Sequence, residues 1–318
     1  MGFSPGLRGS ENGISSWVAT PPPPYPVGVP IYIVPSTRLS STFEFGYNIG
    51  SKETWNTIWS SSLFPNLLAG LSPQYIRYPG GSDMNYWDWD TQTTNTQYTL
   101  PSHTLSASRL DFYKGIVDPL NIKTIFGINM LTSSVANGTP LLNQQTASLL
   151  NITNSLQIPI TKVELGNEFY LVSEPLYNEK YPSGSYYGKE AAKWMTTLRT
   201  ILPSVKYGIP MVDTKYSNYS NKRLSWNTQS VIEYVKSSSI PDAFIFHVYA
   251  TVGLSDYNNI ENFILTSSYA EYSNVSQSIS KIYTFSPSMS NAECRSEEHT
   301  SELQSHSDLV CRLLLEKK

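Results

Sequence analysis

The chain has 318 residues, 40% of them hydrophobic and only 15% charged, with 22 Tyr, 11 Phe and 7 Trp. That is enough apolar material for one large domain or two smaller ones, and the aromatic surplus suits stacking on flat ligands such as sugar rings. The formal net charge of −3 gives no electrostatic case for nucleic acid or an anionic membrane, and no apolar run approaches the length that spans a bilayer.

Residues 1–38 read as an extended or disordered segment. Pro21-Pro-Pro-Pro-Tyr-Pro26 is polyproline-like, and Ile31-Tyr-Ile-Val34 is a short strand candidate. No apolar signal-peptide core is visible in Met1–Pro26. Thr42-Phe-Glu-Phe-Gly46 alternates and runs to Asn48, which predicts a first core strand. Lys52 to Leu71 carries Trp55, Ile58, Trp59, Leu63, Leu67 and Leu68 near helical spacing, with Gly70 at its end.

A rhythm of strand and helix follows. Tyr75–Tyr78 reads as a strand, with a helix after it around Ser106–Pro119. Thr124–Met130 is followed by a helix around Leu142–Leu156. Lys162–Leu165 is followed by a helix around Gly188–Leu202, and Lys206–Ile209 by one around Thr228–Ser238. Ala243–Tyr249 is followed by a helix around Tyr269–Ile282, and Ser288–Ala292 is the last strand, with Glu293 at its end. Seven strands separated by helices imply parallel strands with right-handed crossovers. No Gly-X-Gly-X-X-Gly turn follows the first strand, which argues against a doubly wound dinucleotide fold. Asn48, Arg77, Asn129, Glu168, His247 with Tyr249, and Glu293 fall at strand ends, and a barrel gathers such ends at one mouth. The expected fold is therefore an α/β TIM-type (β/α)8 barrel over residues 39–294, truncated after strand 7.

Residues 295–318 are set apart from that fold. They resemble one translated reading frame of a common sequencing adapter, broken around His306-Ser307 where a short index would lie, and are read as a non-native tail. Cys311 falls in that tail, so Cys294 is the one cysteine outside it and no disulfide is inferred. Asn-X-Ser/Thr sequons at Asn137, Asn151, Asn218 and Asn274 lean towards a secreted or lysosome-like location.

The chemistry-bearing residues fall into a few stretches. Arg77-Tyr-Pro-Gly-Gly-Ser-Asp-Met-Asn-Tyr-Trp-Asp-Trp89 has a double glycine but no Lys-Ser/Thr, so it is a poor phosphate loop. Trp87 and Trp89 could stack on a sugar or cap the barrel rim. Outside the tail only His103 and His247 are histidines, so neither a zinc site nor any other cofactor is expected. No Gly-X-Ser-X-Gly elbow supports a serine hydrolase. Glu168, after Gly166-Asn167, and Glu293 are two carboxylates at the ends of the fourth and seventh strands. Glycoside hydrolysis needs such a pair, one acid to protonate the leaving oxygen and one carboxylate to attack or activate water.

Arg77-Tyr-Pro-Gly-Gly-Ser, Glu164-Leu-Gly-Asn-Glu-Phe and His247-Val-Tyr249, in that order, resemble the retaining glycoside hydrolases of clan A. They are most similar to family 79, the heparanase and β-glucuronidase group, and families 51 and 39 share a similar glycine-rich strand end and Asn-Glu pair. The resemblance implies double displacement on a polysaccharide or glycoconjugate, with Glu168 as general acid/base. It implies Asn167 on the sugar 2-hydroxyl and Glu293 as nucleophile, within Asn291-Ala-Glu-Cys294. Tyr249 would orient that nucleophile, Arg77 would favour its charged form, and His247 would line the substrate site. It also implies an eighth strand and a C-terminal β-sandwich that this sequence lacks, and so an inactive chain as it stands. A non-catalytic carbohydrate-binding barrel and an arabinofuranosidase or xylosidase of family 51 or 39 type are the competing readings.

Overall fold

A computed structural model describes residues 46–48, 63–88, 93–94, 110–132, 141–217, 219–250 and 260–300. The strand expected at Ile31–Val34, the first part of the helix expected from Lys52, and Trp89 lie outside the described residues. All described residues belong to one compact unit, Ser41–Lys318.

The chain forms an incomplete (β/α)8 barrel. Its strands are β1 (Gly46–Asn48), β2 (Tyr75–Tyr78), β5 (Lys123–Ile128), β6 (Ile160–Leu165), β7 (Lys206–Met211), β8 (Ala243–Ala250) and β9 (Glu293–Thr300). They lie in that order in one sheet, each parallel to its neighbour. A small antiparallel hairpin, β3 (Trp87–Asp88) with β4 (Thr93–Thr94), sits apart in the loop after β2. The helices are α1 (Leu63–Leu71), α2 (Leu110–Val117), α3 (Leu141–Asn154), α4 (Pro175–Lys180), α5 (Gly184–Ile201), α6 (Thr214–Ser217), α7 (Asn221–Lys236) and α8 (Ile260–Phe285).

The local reasons are those of any parallel sheet covered by helices. Every residue of β2, and all of β5 and β6 but Lys123 and Thr161 near their N-terminal ends, is buried, because side chains on both faces meet protein. In α5 the residues Tyr187, Ala191, Trp194, Met195 and Leu198 recur at helical spacing and are all buried against the sheet and α7. The α5–α7 contact is close because Gly188 faces the backbone of Ser230, where a Cβ would crowd it, and Tyr187 stacks on Trp226 with ring centroids 5.1 Å apart. Ser220 caps α7 by accepting from the Arg223 amide at 3.2 Å.

Two contacts prove that the sheet curls. Lys162, on β6, reaches Glu293, on β9, at 3.8 Å, and its ammonium lies 4.2 Å from the Tyr75 ring on β2. In a flat sheet three strand spacings would separate β6 from β9 by about 14 Å. Arg77 on β2 likewise meets Glu164 on β6 at 2.6 Å across the intervening β5. The Lys162 and Glu293 side chains therefore meet on the concave side of a curled sheet.

The last strand departs from expectation. Ser288–Ala292 was predicted as the strand, with Glu293 at its C-terminal end. The structure has a short 3-10 turn at Pro287–Met289 instead, and the strand begins at Glu293. Its register runs from Ala243 opposite Glu293 to Ala250 opposite Thr300, so it pairs with β8 along the whole of that strand. No described helix is long and apolar enough to cross a membrane.

Candidate active site

The site is built where β6 ends. Gly166 turns the chain with φ +80°, and a Cβ there would overlap the Phe169 ring, so both conformation and space demand glycine. Glu168 follows with φ +46°, a left-handed conformation that a glutamate adopts at a cost of about 1–3 kcal/mol. The surroundings hold it there.

Asn85, fully buried in the turn after β2, makes the strongest hold. Its Oδ1 accepts from the Asn167 amide at 2.8 Å, and its Nδ2 donates to the Asn167 carbonyl at 2.7 Å and to the Tyr177 hydroxyl at 2.8 Å. The side chain thus pairs with the Asn167 backbone as a neighbouring strand would. Arg77 fixes the other end of the same residue, its Nη2 donating to Asn167 Oδ1 at 3.0 Å and its Nε to Glu164 at 2.6 Å. Arg77 thus takes Asn167 Oδ1, in a residue that is itself 1% exposed.

Glu168 itself is buried but for a tenth of its side chain. Its Oε1 accepts from the Tyr170 hydroxyl at 3.1 Å and lies 3.2 Å from His247 Nδ1. Together with Leu171, Val212, Asp213, Tyr219 and Arg223 these residues line a cavity of ≈ 360 Å³ at the C-terminal ends of the strands. A carboxyl group that accepts from a hydroxyl, with an imidazole beside it, at the mouth of such a cavity has the arrangement that general acid–base chemistry uses.

The predicted residues divide accordingly. Glu168, Asn167, Arg77 and His247 converge. Arg77 does so as scaffold, since its guanidinium grips Glu164 and Asn167. Tyr249 belongs to the same strand as His247, two residues on. Trp87 is fully buried, 6.3 Å from Tyr78 and edge-on to it, so its ring packs against protein. Asn129, also expected at the mouth, folds its amide back onto the amides of Leu131 and Thr132 and shapes a turn.

Glu293 opens β9 instead of closing it, level with Ala243, four residues before His247 along the register. That places it about 13 Å down the sheet from the mouth. There it pairs with Lys206, Lys162 (3.8 Å) and Arg295 (3.4 Å). Burial pushes its carboxyl up, but the Lys206 hydrogen bond and the charges of Arg295 and Lys162 outweigh this and hold it below the ordinary carboxylate value. In this register it does not face Glu168.

Sequence reasoning missed Asn85, Tyr170, Asp213 and Arg223. Asn85 lay inside the quoted glycine-rich stretch and Tyr170 two residues after Glu168, but nothing in the pattern says which polar side chain of a loop turns inward. Among the described residues no group of three His, Cys, Asp or Glu is placed to hold a metal ion.

No protein-family model matches the chain, and no curated protein matches it in sequence. Solved structures do match in fold. The α-L-arabinofuranosidase of Thermotoga maritima superimposes with a TM-score of 0.58 at 12% identity, over 81% of this chain and 56% of that one. The family 51 α-L-arabinofuranosidase AbfB of Bifidobacterium longum gives 0.56 at 14% identity, over 81% and 54%. The GH51 arabinofuranosidase of Xanthomonas axonopodis pv. citri gives 0.52 at 11% identity, over 84% and 59%. The chain thus spans less than two thirds of the structures it matches, and the likeness is one of fold. The second and third of these are named as family 51 enzymes, and none of the three as family 79, the group expected from the motifs.

Proposed function

We propose that the protein is a retaining glycoside hydrolase in which Glu168 is the general acid/base. The observation that carries this is the position of Glu168: at the C-terminal end of the fourth barrel strand, in a left-handed backbone, with Oε1 between Tyr170 and His247 in a cavity. Asn167 offers Nδ2 to the 2-hydroxyl of the attacked sugar. In the first step Glu168 gives its proton to the leaving oxygen, and in the second it takes one from water.

The nucleophile in this proposal is Glu293, acting with β9 moved by four residues. An even shift keeps each side chain on its own face of the sheet. It would set Glu293 level with His247, Asn291 level with Ile245, and Met289 level with Ala243, so that the strand becomes the Ser288–Ala292 segment its sequence favours. Arg295 supplies the physical motive. In the present register its side chain is only 1% exposed, and its Nε and Nη1 have no hydrogen-bond partner. A buried guanidinium so poorly paired is strongly unfavourable. The same shift would lift it to the level of Tyr249, near the mouth. A misfit at Arg295 agrees with the reading of residues 295–318 as adapter-derived.

On substrate, the motifs favour a β-glucuronidase-like activity on a polysaccharide or glycoconjugate. An arabinofuranosidase of family 51 type is the second reading, favoured by the fold likeness. A non-catalytic sugar-binding barrel loses support, since Trp87 is not available as a stacking platform.

Glu168→Gln, made in the protein with its barrel completed, tests the acid/base role. Hydrolysis of glycosides with poor leaving groups is expected to fall by about 10²–10⁴-fold. The glycosylation step on activated aryl glycosides should fall far less, because their leaving group needs little protonation. Equal losses on both substrates would remove Glu168 from this role.

A further inference from the structure

The backbone around Glu168 is held from two directions. On the β2 side, Asn85 and Arg77 grip Asn167. On the far side, the Leu171 amide donates to the Glu168 carbonyl at 2.9 Å and closes a turn over the left-handed residue. Residues 172–174 then lead into α4, where Asn178 Nδ2 ties the chain back by donating to the Val172 carbonyl at 2.7 Å. Lys222, the second residue of α7, reaches across to this segment. Its Nζ donates to Asn178 Oδ1 at 3.0 Å, to the Tyr177 carbonyl at 3.3 Å and to the Leu171 carbonyl at 3.4 Å.

The three protons of one ammonium thus meet three neutral oxygens of one loop. Two features show that the loop, not the helix, is what this lysine serves. A cation in the first turn of a helix opposes the helix dipole, so the charge does nothing for α7. A side chain of this length can also carry its ammonium out to water, yet this one is turned inward, and burial lowers its pKa to about 8. The same ammonium lies 5.7 Å from the Trp226 ring centroid. Trp226 stands edge-on to Tyr170 at 6.1 Å, and Tyr170 donates to Glu168. Lys222 therefore supports both the backbone turn of Glu168 and the ring whose hydroxyl holds its carboxyl.

We propose that Lys222 is a positioning residue for Glu168, its ammonium acting as a tethered cation in a cage formed by Leu171, Tyr177 and Asn178 oxygens. With the cation in place, the three oxygens converge and the turn over Glu168 stays closed. Without it they repel one another, and Glu168 is free to leave a backbone conformation that costs about 1–3 kcal/mol. The consequence for chemistry rests on Glu168 being the acid/base; the cage itself does not.

The test is hydrogen exchange at the Leu171 amide, read by NMR. Lys222→Ala should speed it at least about tenfold while the β6 amides keep their rates. Added ethylammonium should slow it again. Tetramethylammonium at the same ionic strength should not, because it offers no N–H to the cage. Asn178→Ala removes one cage oxygen at a half-buried loop position without touching α7, and should speed the same amide severalfold even if Lys222→Ala fails to fold. In the protein with its barrel completed, Lys222→Ala should lower kcat on glycosides with poor leaving groups more than on activated ones, with ethylammonium restoring the ratio. An unchanged Leu171 rate in either variant, equal rescue by tetramethylammonium, or faster exchange with an unchanged ratio between the two substrates would overturn the proposal. Exchange needs no turnover, so the two ideas fail separately. Undiminished turnover in Glu168→Gln defeats the acid/base reading and leaves the cage standing, whereas an unchanged Leu171 rate in Lys222→Ala defeats the cage alone.

Discussion

Glu168 and Glu293 are both glutamates beside parallel strands, yet they occupy opposite ends of the sheet and keep different company. Glu168 stands just past the end of β6, against a hydroxyl and an imidazole, on a backbone that is itself strained. Glu293 stands at the start of β9 among three cations, Lys162, Lys206 and Arg295. A cage of cations favours the charged form of a carboxyl group, as the lowered value of Glu293 shows. Floor and mouth of one barrel thus give the same residue type two different surroundings.

The sharpest way to break this comparison is Glu293→Gly. If β9 acts in the shifted register, turnover should fall by about 10³-fold or more, as expected for loss of a group that acts as a unit with its partner. Azide should restore it as a glycosyl azide of inverted configuration. Glu168→Gly rescued by azide should give the retained configuration, because there the nucleophile survives. The product anomers, read by NMR, distinguish the two glutamates even if both variants are equally slow.

Next in size is the scaffold beneath Glu168. Arg77→Leu leaves Glu164 fully buried without its counter-ion and should cost about 3–5 kcal/mol in urea unfolding. Asn85→Ala removes three buried hydrogen bonds and should cost about 2–3 kcal/mol. It should also lower kcat on glycosides with poor leaving groups more than on activated ones, because it frees the backbone that aims Glu168. A stability loss with an unchanged ratio between the two substrates would make Asn85 a packing residue only.

The smallest effect belongs to the floor. The folded-state pKa of Glu293 lies below its ordinary value, so the unfolded chain binds the proton more readily. Its contribution is therefore present above the ordinary carboxylate value of about 4.5 and is lost as pH falls through the lower folded value. Glu293 is partly exposed, so the contribution is less than about 1 kcal/mol after screening. Unfolding curves of the protein and of Glu293→Gln should differ at pH 6 and converge near pH 3. Curves that differ equally at both would show that the ion pairs do not carry it.

Much of the barrel was legible in the chain. Strand–helix alternation from Tyr75 onward comes from local apolar spacing, and Gly166-Asn167-Glu168 was visible because a glycine that ends a buried strand marks the barrel mouth. Helix α4 was not anticipated, since six residues carry too little periodicity to stand out. Register was equally hidden. Ser288-Met-Ser-Asn-Ala292 and Glu293–Thr300 both offer mixed residues to the edge of β8, and pairing partners, not propensity, choose between them. Trp87 misled because an aromatic beside a glycine pair reads the same whether it faces a ligand or the core.

What the sequence by itself determined is the order of elements, the parallel barrel and the carboxylate after Gly166. Each follows from interactions a few residues apart. Which polar side chains meet was decided only in three dimensions. Arg77 and Glu164 are 87 positions apart and Asn85 and Asn167 are 82, and curvature of the sheet brings them within hydrogen-bond reach. Tertiary structure alone also decided that Glu293, at the start of its strand, lies on the barrel floor, because the end of a strand exists only relative to the neighbour it pairs with.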